Sequence, residues 1–249
     1  MRPLFVFLIA VLMLALPASA QTALDRSVDP AGANVLELEA GGAAIVLTPN
    51  PDVSSVHVRV DQDKSTTVPM LQSVRSGNRL AVTLKPPSGA PLLPFVPSTA
   101  ATYAIAYPAR MRLDLRISNG DVRIAHPVSG VEIYDQDGNI VIDSPRGSVT
   151  AENARGDITV AGALAPVDVA ADDGNVTASL AAGWSGNEVR IQSGTGTIKL
   201  TVPHGFRGRF AASSNEGSVH NAVAASEARA PFVWLYAVKG DVFVAQAKP

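Results

Sequence analysis

The chain has 249 residues, is 47% hydrophobic and 17% charged, and carries a formal net charge of −2 with no cysteine. That balance is not the footprint of a nucleic-acid-binding protein, which needs clustered Lys and Arg to neutralise phosphates. Without cysteine there are no disulfides, metal thiolates, thiol nucleophiles or acylated N-terminal cysteine, so stability has to come from packing.

The first predicted element is a targeting segment. Arg2 is the only charge before an apolar run over residues 4–16, which Pro17 ends ahead of Ala18-Ser19-Ala20. Thirteen apolar residues are too few to span a bilayer. Small residues at the third and first positions before Gln21 suit a signal peptidase. The expectation is a signal peptide over 1–20, cleavage before Gln21, and export to the periplasm, the cell surface or the medium. Loss of Arg2 makes the mature chain one unit more negative, and no later segment approaches transmembrane length. Residues 21–30 are expected to be a flexible start, followed by one β domain over 31–249.

The stretch 31–116 reads as irregular opening coils, with strands over 35–40, 44–47, 56–60, 80–84, 103–107 and 113–117. It is interrupted by a proline-rich loop, 86–97, that cannot pair as a central strand. A loop of that length serves either as a terminal cap or lid or as an exposed partner-binding loop.

From 117 to 249 the chain repeats. Gly120-Asp121-Val122-Arg123-Ile124, Gly138-Asn139-Ile140-Val141-Ile142, Gly156-Asp157-Ile158-Thr159-Val160 and Gly174-Asn175-Val176-Thr177-Ala178 share one grammar, with glycines eighteen residues apart. Further copies begin at Gly196, Gly217 and Gly240, with spacings of 22, 21 and 23 that read as added loop residues. A second short strand falls midway, at 131–133, 149–151, 167–169 and 189–191. Alternate residues of a strand share a face, so Val122, Ile140, Ile158 and Val176 are expected to form one inward column while Arg123, Thr159, Thr177 and Lys199 point outward. Two alternating strands per eighteen-residue coil predict an all-β fold, a β-solenoid of the parallel β-helix or β-roll kind. Short strands at this spacing also fit a β-sandwich built of hairpins.

The same register predicts structural columns at the turns. Asn119, Asp137, Arg155 and Asp173 fall one above another just before the turn glycines Gly120, Gly138, Gly156 and Gly174, which Gly196, Gly217 and Gly240 continue. With strands about 4.8 Å apart, Arg155 would stand between Asp137 and Asp173 as the rung of a charge ladder. The adjoining column, Asp121, Asn139, Asp157 and Asn175, alternates carboxylate with amide and so avoids stacking like charges.

The Gly-Asp/Asn-Val/Ile repeats, the segment 193–200 followed by Val202-Pro203, and Tyr107-Pro108 ahead of the first repeat resemble a large bacterial family. It is the family of putative adhesins, also called the auto-transporter adhesin head domain, a domain of unknown function with β-strand repeats. The resemblance spans about residues 31–247. It implies a β-solenoid of the cell envelope or exterior and brings no catalytic residue with it.

No catalytic, cofactor or metal site is expected from the residues themselves. His57, His126, His204 and His220 are scattered, with no pair at zinc-binding spacing. Gly183-Trp184-Ser185-Gly186 misses the spacing of a nucleophile elbow. Asp135-Gln136-Asp137-Gly138-Asn139 begins like a calcium loop, but the twelfth position, where a bidentate glutamate belongs, is Arg146. Aromatic residues gathered in the last third, from Trp184 to Tyr236, fit a terminal cap or a glycan-stacking platform. The expected function is non-enzymatic: an exported protein with an extended, adhesive binding surface for an envelope protein or glycan. The alternative is a polysaccharide-active β-helical enzyme, whose paired carboxylates would line a groove.

Overall fold

The computed structural model describes residues 21–62, 69–85, 101–224 and 230–248, and every regular element among them is a β-strand. The signal peptide expected over 1–20 and the loop 86–97 lie outside the described residues. The strands of the first half are β1 (Gln21–Val28), β2 (Val35–Ala40), β3 (Ala43–Asn50), β4 (Val56–Gln62), β5 (Met70–Ser76), β6 (Arg79–Lys85), β7 (Ala101–Pro108) and β8 (Arg112–Ile117). The repeats supply β9 (Val122–Ala125), β10 (Val131–Asp135), β11 (Ile140–Asp143), β12 (Val149–Arg155), β13 (Ile158–Ala163), β14 (Val167–Asp173), β15 (Val176–Leu180), β16 (Glu188–Thr195) and β17 (Ile198–Val202). The last four are β18 (Arg209–Glu216), β19 (Val219–Asn221), β20 (Phe232–Lys239) and β21 (Val242–Gln246).

These strands form two open sheets. The first has eleven strands in the order β1-β4-β7-β3-β9-β11-β13-β15-β17-β21-β19, and the second has ten in the order β18-β20-β16-β14-β12-β10-β8-β2-β6-β5. From β8 onward successive strands alternate between the sheets, and each pairs in parallel with its counterpart in the neighbouring repeat. Both sheets are mixed, because β1, β4 and β7 pair antiparallel in the first and β5 with β6 in the second. Residues 21–30, expected as a flexible start, contain β1, whose Leu24 and Val28 pack against the core.

The alternation read from the sequence dictates what is buried. Ile140 lies between Val122 and Ile158, and Ile158 between Ile140 and Val176, each step being eighteen residues. All four are at most 1% exposed. In the second sheet Val131, Val149, Val167 and Val189 stack the same way, and the inward side chains of both sheets form one continuous hydrophobic cluster. Each such side chain contributes about 1.5–3 kcal/mol when fully buried, and because each repeat is only two short strands, its burial depends on the repeats on either side.

The ends depart from chain order. The β20–β21 repeat inserts between the β16–β17 repeat and the β18–β19 repeat, so the column of turn glycines runs Gly196, Gly240, Gly217 rather than in sequence order. At the other end β2 and β3 lie directly against β8 and β9, and β6 and β7 lie beyond them. Repeats therefore neighbour one another in chain order over 112–202 and depart from that order at both ends.

Candidate functional site: repeat corners and outward faces

The corners are where the repeat grammar has its cause. A Cβ placed on Gly138 would overlap the carbonyl of Gly120, and the same clash recurs from Gly156 to Gly138, Gly174 to Gly156, Gly196 to Gly174, Gly240 to Gly196 and Gly217 to Gly240. At Gly156 the backbone also takes φ of +121°, in the region that side chains disfavour. Except at Gly217, which ends the column, the N–H of each glycine donates to the next repeat, as in Gly138 to the Arg155 carbonyl at 3.0 Å and Gly156 to the Asp173 carbonyl at 2.9 Å. Close stacking of backbone on backbone leaves no room for a side chain there.

Outside this column the Asp/Asn alternation forms a hydrogen-bond ladder. Asp121 Oδ1 accepts from both the backbone N–H and the side-chain amide of Asn139, at 2.9 and 3.0 Å. Asn139 Oδ1 then accepts from the N–H of Asp157 at 3.0 Å, and Asp157 Oδ1 accepts both N–H groups of Asn175 at 2.8 and 3.2 Å. An amide can accept from the next repeat and donate to the carboxylate behind it, which two successive carboxylates could not do.

Arg155 lies opposite Asp173 in the strand register, but its guanidinium turns the other way and pairs with Asp137 at 3.1 Å. No ion pair joins it to Asp173. Asn119, at the head of that column, accepts the N–H of Gly42 with its side-chain oxygen. Asp135 and Asp137, two residues apart in the calcium-like segment, part company: Asp137 is exposed, whereas Asp135 is fully buried. Among the described residues no group of three or more His, Cys, Asp or Glu is placed so that it could hold a metal ion.

Asp135 belongs to an interior polar column that the sequence reading did not single out. In register order it holds Ile117, Asp135, Asn153, Ala171, Ser193 and Ala237. Among the described residues, Asp135, Asn153 and Ser193 are the buried polar or charged ones outside the aromatic core. Burial pushes the Asp135 carboxyl up to about 6, against the pull of the Asp137 and Gln136 N–H groups. Its Oδ2 and the Tyr107 hydroxyl are buried without a hydrogen-bond partner.

The two outward faces differ in chemistry. On the first sheet Arg123, Val141, Thr159, Thr177, Lys199, Phe243 and His220 form one row across the strands, with the His220 ring stacked on Phe243 at 4.8 Å. On the second sheet one row runs Glu39, Arg116, Tyr134, Glu152, Ala170, Gln192, Tyr236. Its neighbour runs Glu37, Asp114, Glu132, Thr150, Asp168, Arg190, Trp234. Glu37 and Asp114 both pair with Arg79, and Glu132 with Arg112. Arg190 pairs with Glu188 at 3.0 Å and lies over the Trp234 ring at 5.9 Å. Trp234 and Tyr236 sit 5.8 Å apart on this face, and the Tyr236 hydroxyl accepts from Asn215. A shallow hollow of about 150 Å³ opens beside Tyr134, between Arg116, Glu132 and Glu152.

The aromatic residues of the last third thus divide. Trp184 packs against Phe206 at a tilt and Phe206 edgewise against Phe210, all three against the core, with the Trp184 ring N–H donating to the Ala165 carbonyl at 2.7 Å. Trp234 and Tyr236 face outward instead. The histidines stay apart: His57 pairs with Asp25 at 2.6 Å, His126 occupies a left-handed corner with φ of 46°, and His204 is exposed. Among the described residues no helix is long and apolar enough to cross a membrane.

Stacked glycine corners, parallel two-strand repeats and polar outer faces define an all-β repeat protein without helices among its described residues. No family model matches the chain, and no curated protein does. Among solved structures it is similar to a putative adhesin from Bacteroides fragilis NCTC 9343, with 16% identity over 90% of this chain and 96% of that one and a TM-score of 0.54. It is also similar to a putative cell adhesion protein from Clostridium sporogenes ATCC 15579, with 13% identity over 92% of this chain and 100% of that one and a TM-score of 0.45. At these identities the likeness is one of fold, and the Bacteroides fragilis protein carries it.

Proposed function

We propose that this chain is a non-enzymatic, exported envelope or secreted protein that presents an extended surface for binding, with its repeats arranged as a β-solenoid. The observation that carries this is the second sheet's outward face, where two rows rich in charged, amide and aromatic side chains cross the strands, from Glu39 to Tyr236 and from Glu37 to Trp234, broken only by Ala170 and Thr150. Four strand spacings separate Tyr134 from Tyr236, roughly 19 Å, which matches an extended ligand better than a small molecule. The adhesin name of the Bacteroides fragilis protein is in keeping with such a surface. The partner class is a glycan or an envelope protein.

The test is a binding screen of the mature chain, beginning at Gln21, against arrayed glycans and envelope proteins. A ligand whose binding drops at least tenfold in Tyr134→Ala and in Trp234→Ala supports the reading. A ligand untouched by both changes overturns this face as the site. One observation favours a second reading, a polysaccharide-active enzyme: Glu132, Glu152 and Asp168 lie on successive repeats of the same face. Release of reducing ends from an envelope polysaccharide, abolished by Glu152→Gln or Asp168→Asn, would select it.

A further inference from the structure

The interior polar column has a chemical rule that one member breaks. Asn153 accepts the N–H of Arg155 with Oδ1, at 3.2 Å, and donates from Nδ2 to the carbonyl of Gly138, one repeat back, at 2.7 Å. Ser193 donates to the Gly174 carbonyl at 3.0 Å, and Ser214 to the Gly240 carbonyl at 2.8 Å. In each case the acceptor is the turn glycine of the adjoining repeat. Asp135 has the same placement, with Oδ1 accepting the N–H of Asp137 at 3.3 Å. Its Oδ2 therefore takes the position of the Asn153 amide nitrogen, facing Gly120. A common reference point agrees: the site of a Cβ on Gly138 meets the Gly120 carbonyl and then Asp135 Oδ2 at 3.1 Å, as that on Gly156 meets the Gly138 carbonyl and then Asn153 Nδ2 at 3.2 Å. An ionised carboxylate would set one acceptor against another in a buried corner, with nothing to donate between them.

We propose that Asp135 is held as a neutral carboxylic acid in the folded chain and donates a hydrogen bond from its O–H to the Gly120 carbonyl, making the β10–β11 corner a proton-dependent clasp. Apart from the Asp137 and Gln136 N–H groups, which favour the ionised form, the surroundings favour the neutral one. The column neighbours Ile117 on β8 and Asn153 on β12 carry no charge, nor do the inward residues Val122, Ile124, Ile140 and Ile142 of β9 and β11. The nearby charges, Asp137 and Asp121, are carboxylates that disfavour a third, and Arg155 is engaged by Asp137 on the outside of the corner. Burial, the largest cause, moves the group in the same direction.

Because the folded chain holds this proton more tightly than the unfolded one, the stabilisation is complete below the ordinary carboxyl value of 3.8 and is lost as pH rises through about 6. The side chains flanking the clasp, Tyr134 and Gln136, line a surface hollow with Asn119 and Arg116.

Asp135→Asn supplies the donor permanently, and thermal melting of both proteins between pH 4 and pH 8 tests the proposal. The variant is expected to match the wild type near pH 4 and to melt progressively higher as pH rises, with the ratio of folded to unfolded chain differing by about a hundredfold at pH 8. Asp135→Ser, which keeps a donor as at Ser193, should flatten the pH dependence in the same way. A ¹³C titration of the wild-type Asp135 carboxyl gives an answer that needs no variant to fold. A midpoint near 6 supports the clasp, and either an ordinary aspartate midpoint or parallel melting curves for wild type and Asp135→Asn overturn it.

Discussion

Arg155 shows what spacing alone can and cannot tell at the scale of a residue. A separation of eighteen places it beside both Asp137 and Asp173, yet register fixes only the backbone. A long side chain still chooses between neighbours, and here the guanidinium goes to Asp137. With the two side chains 67% and 57% exposed, that pair competes with water and salt, so Arg155→Ala should cost only about 0.2–1 kcal/mol. Urea unfolding at low and at high salt checks this, since the difference between variant and wild type should shrink as salt rises. A loss of several kcal/mol would mean that Arg155 holds both carboxylates in solution. Asp135 is the complementary case. Its burial was legible in principle, because Val131, Ile133 and Asp135 alternate along one strand and the last shares a column with Ile117 and Ala171. The acidic turn beside it drew attention to metal chemistry, whereas the alternation pointed inward.

At the scale of the strand, the regular repeats were readable because two local signals agree. A glycine that cannot accept a Cβ sets the start of each strand, and period-two alternation sets its face. Strands β9, β11, β13, β15 and β17 follow both rules, and the apolar residues the pattern points inward on them, such as Val122, Ile140, Ile158 and Val176, are buried. Strands β1 and β5 escaped notice because β5 is mostly exposed and β1 is an edge strand, so neither shows a clean buried face. The central column should respond strongly to charge. Ile158 is fully buried between Ile140 and Val176, so Ile158→Asp removes its packing and buries a carboxyl with no partner. The expected loss is several kcal/mol, smaller at low pH where the carboxyl is neutral. Thermal melting at pH 7 and pH 4 measures both parts, and a variant that melts like the wild type would contradict this column.

At the scale of the molecule, the order of repeats at the ends was not legible, and the reason is physical. Alternation says which side of a strand is apolar but not which strand lies next to it, and the uneven spacings after Gly196 leave the loops free to reach past a neighbour. The resulting insertion makes a prediction about truncation. A chain ending at residue 224 loses β20 and β21, which lie between the β16–β17 repeat and the β18–β19 repeat. Strands β18 and β19 pair only with β20 and β21, so they would keep no partner in the ladder. A chain ending at residue 202 exposes the same flank of β16 and β17 without carrying an orphaned repeat. If sheet order governs stability, the two truncated chains should melt within a few degrees of each other, and amide hydrogens of residues 209–221 in the longer one should exchange as in an unfolded chain. If the repeats were instead laid down in chain order, the longer chain would keep β18 and β19 protected against β16 and β17 and would melt clearly higher.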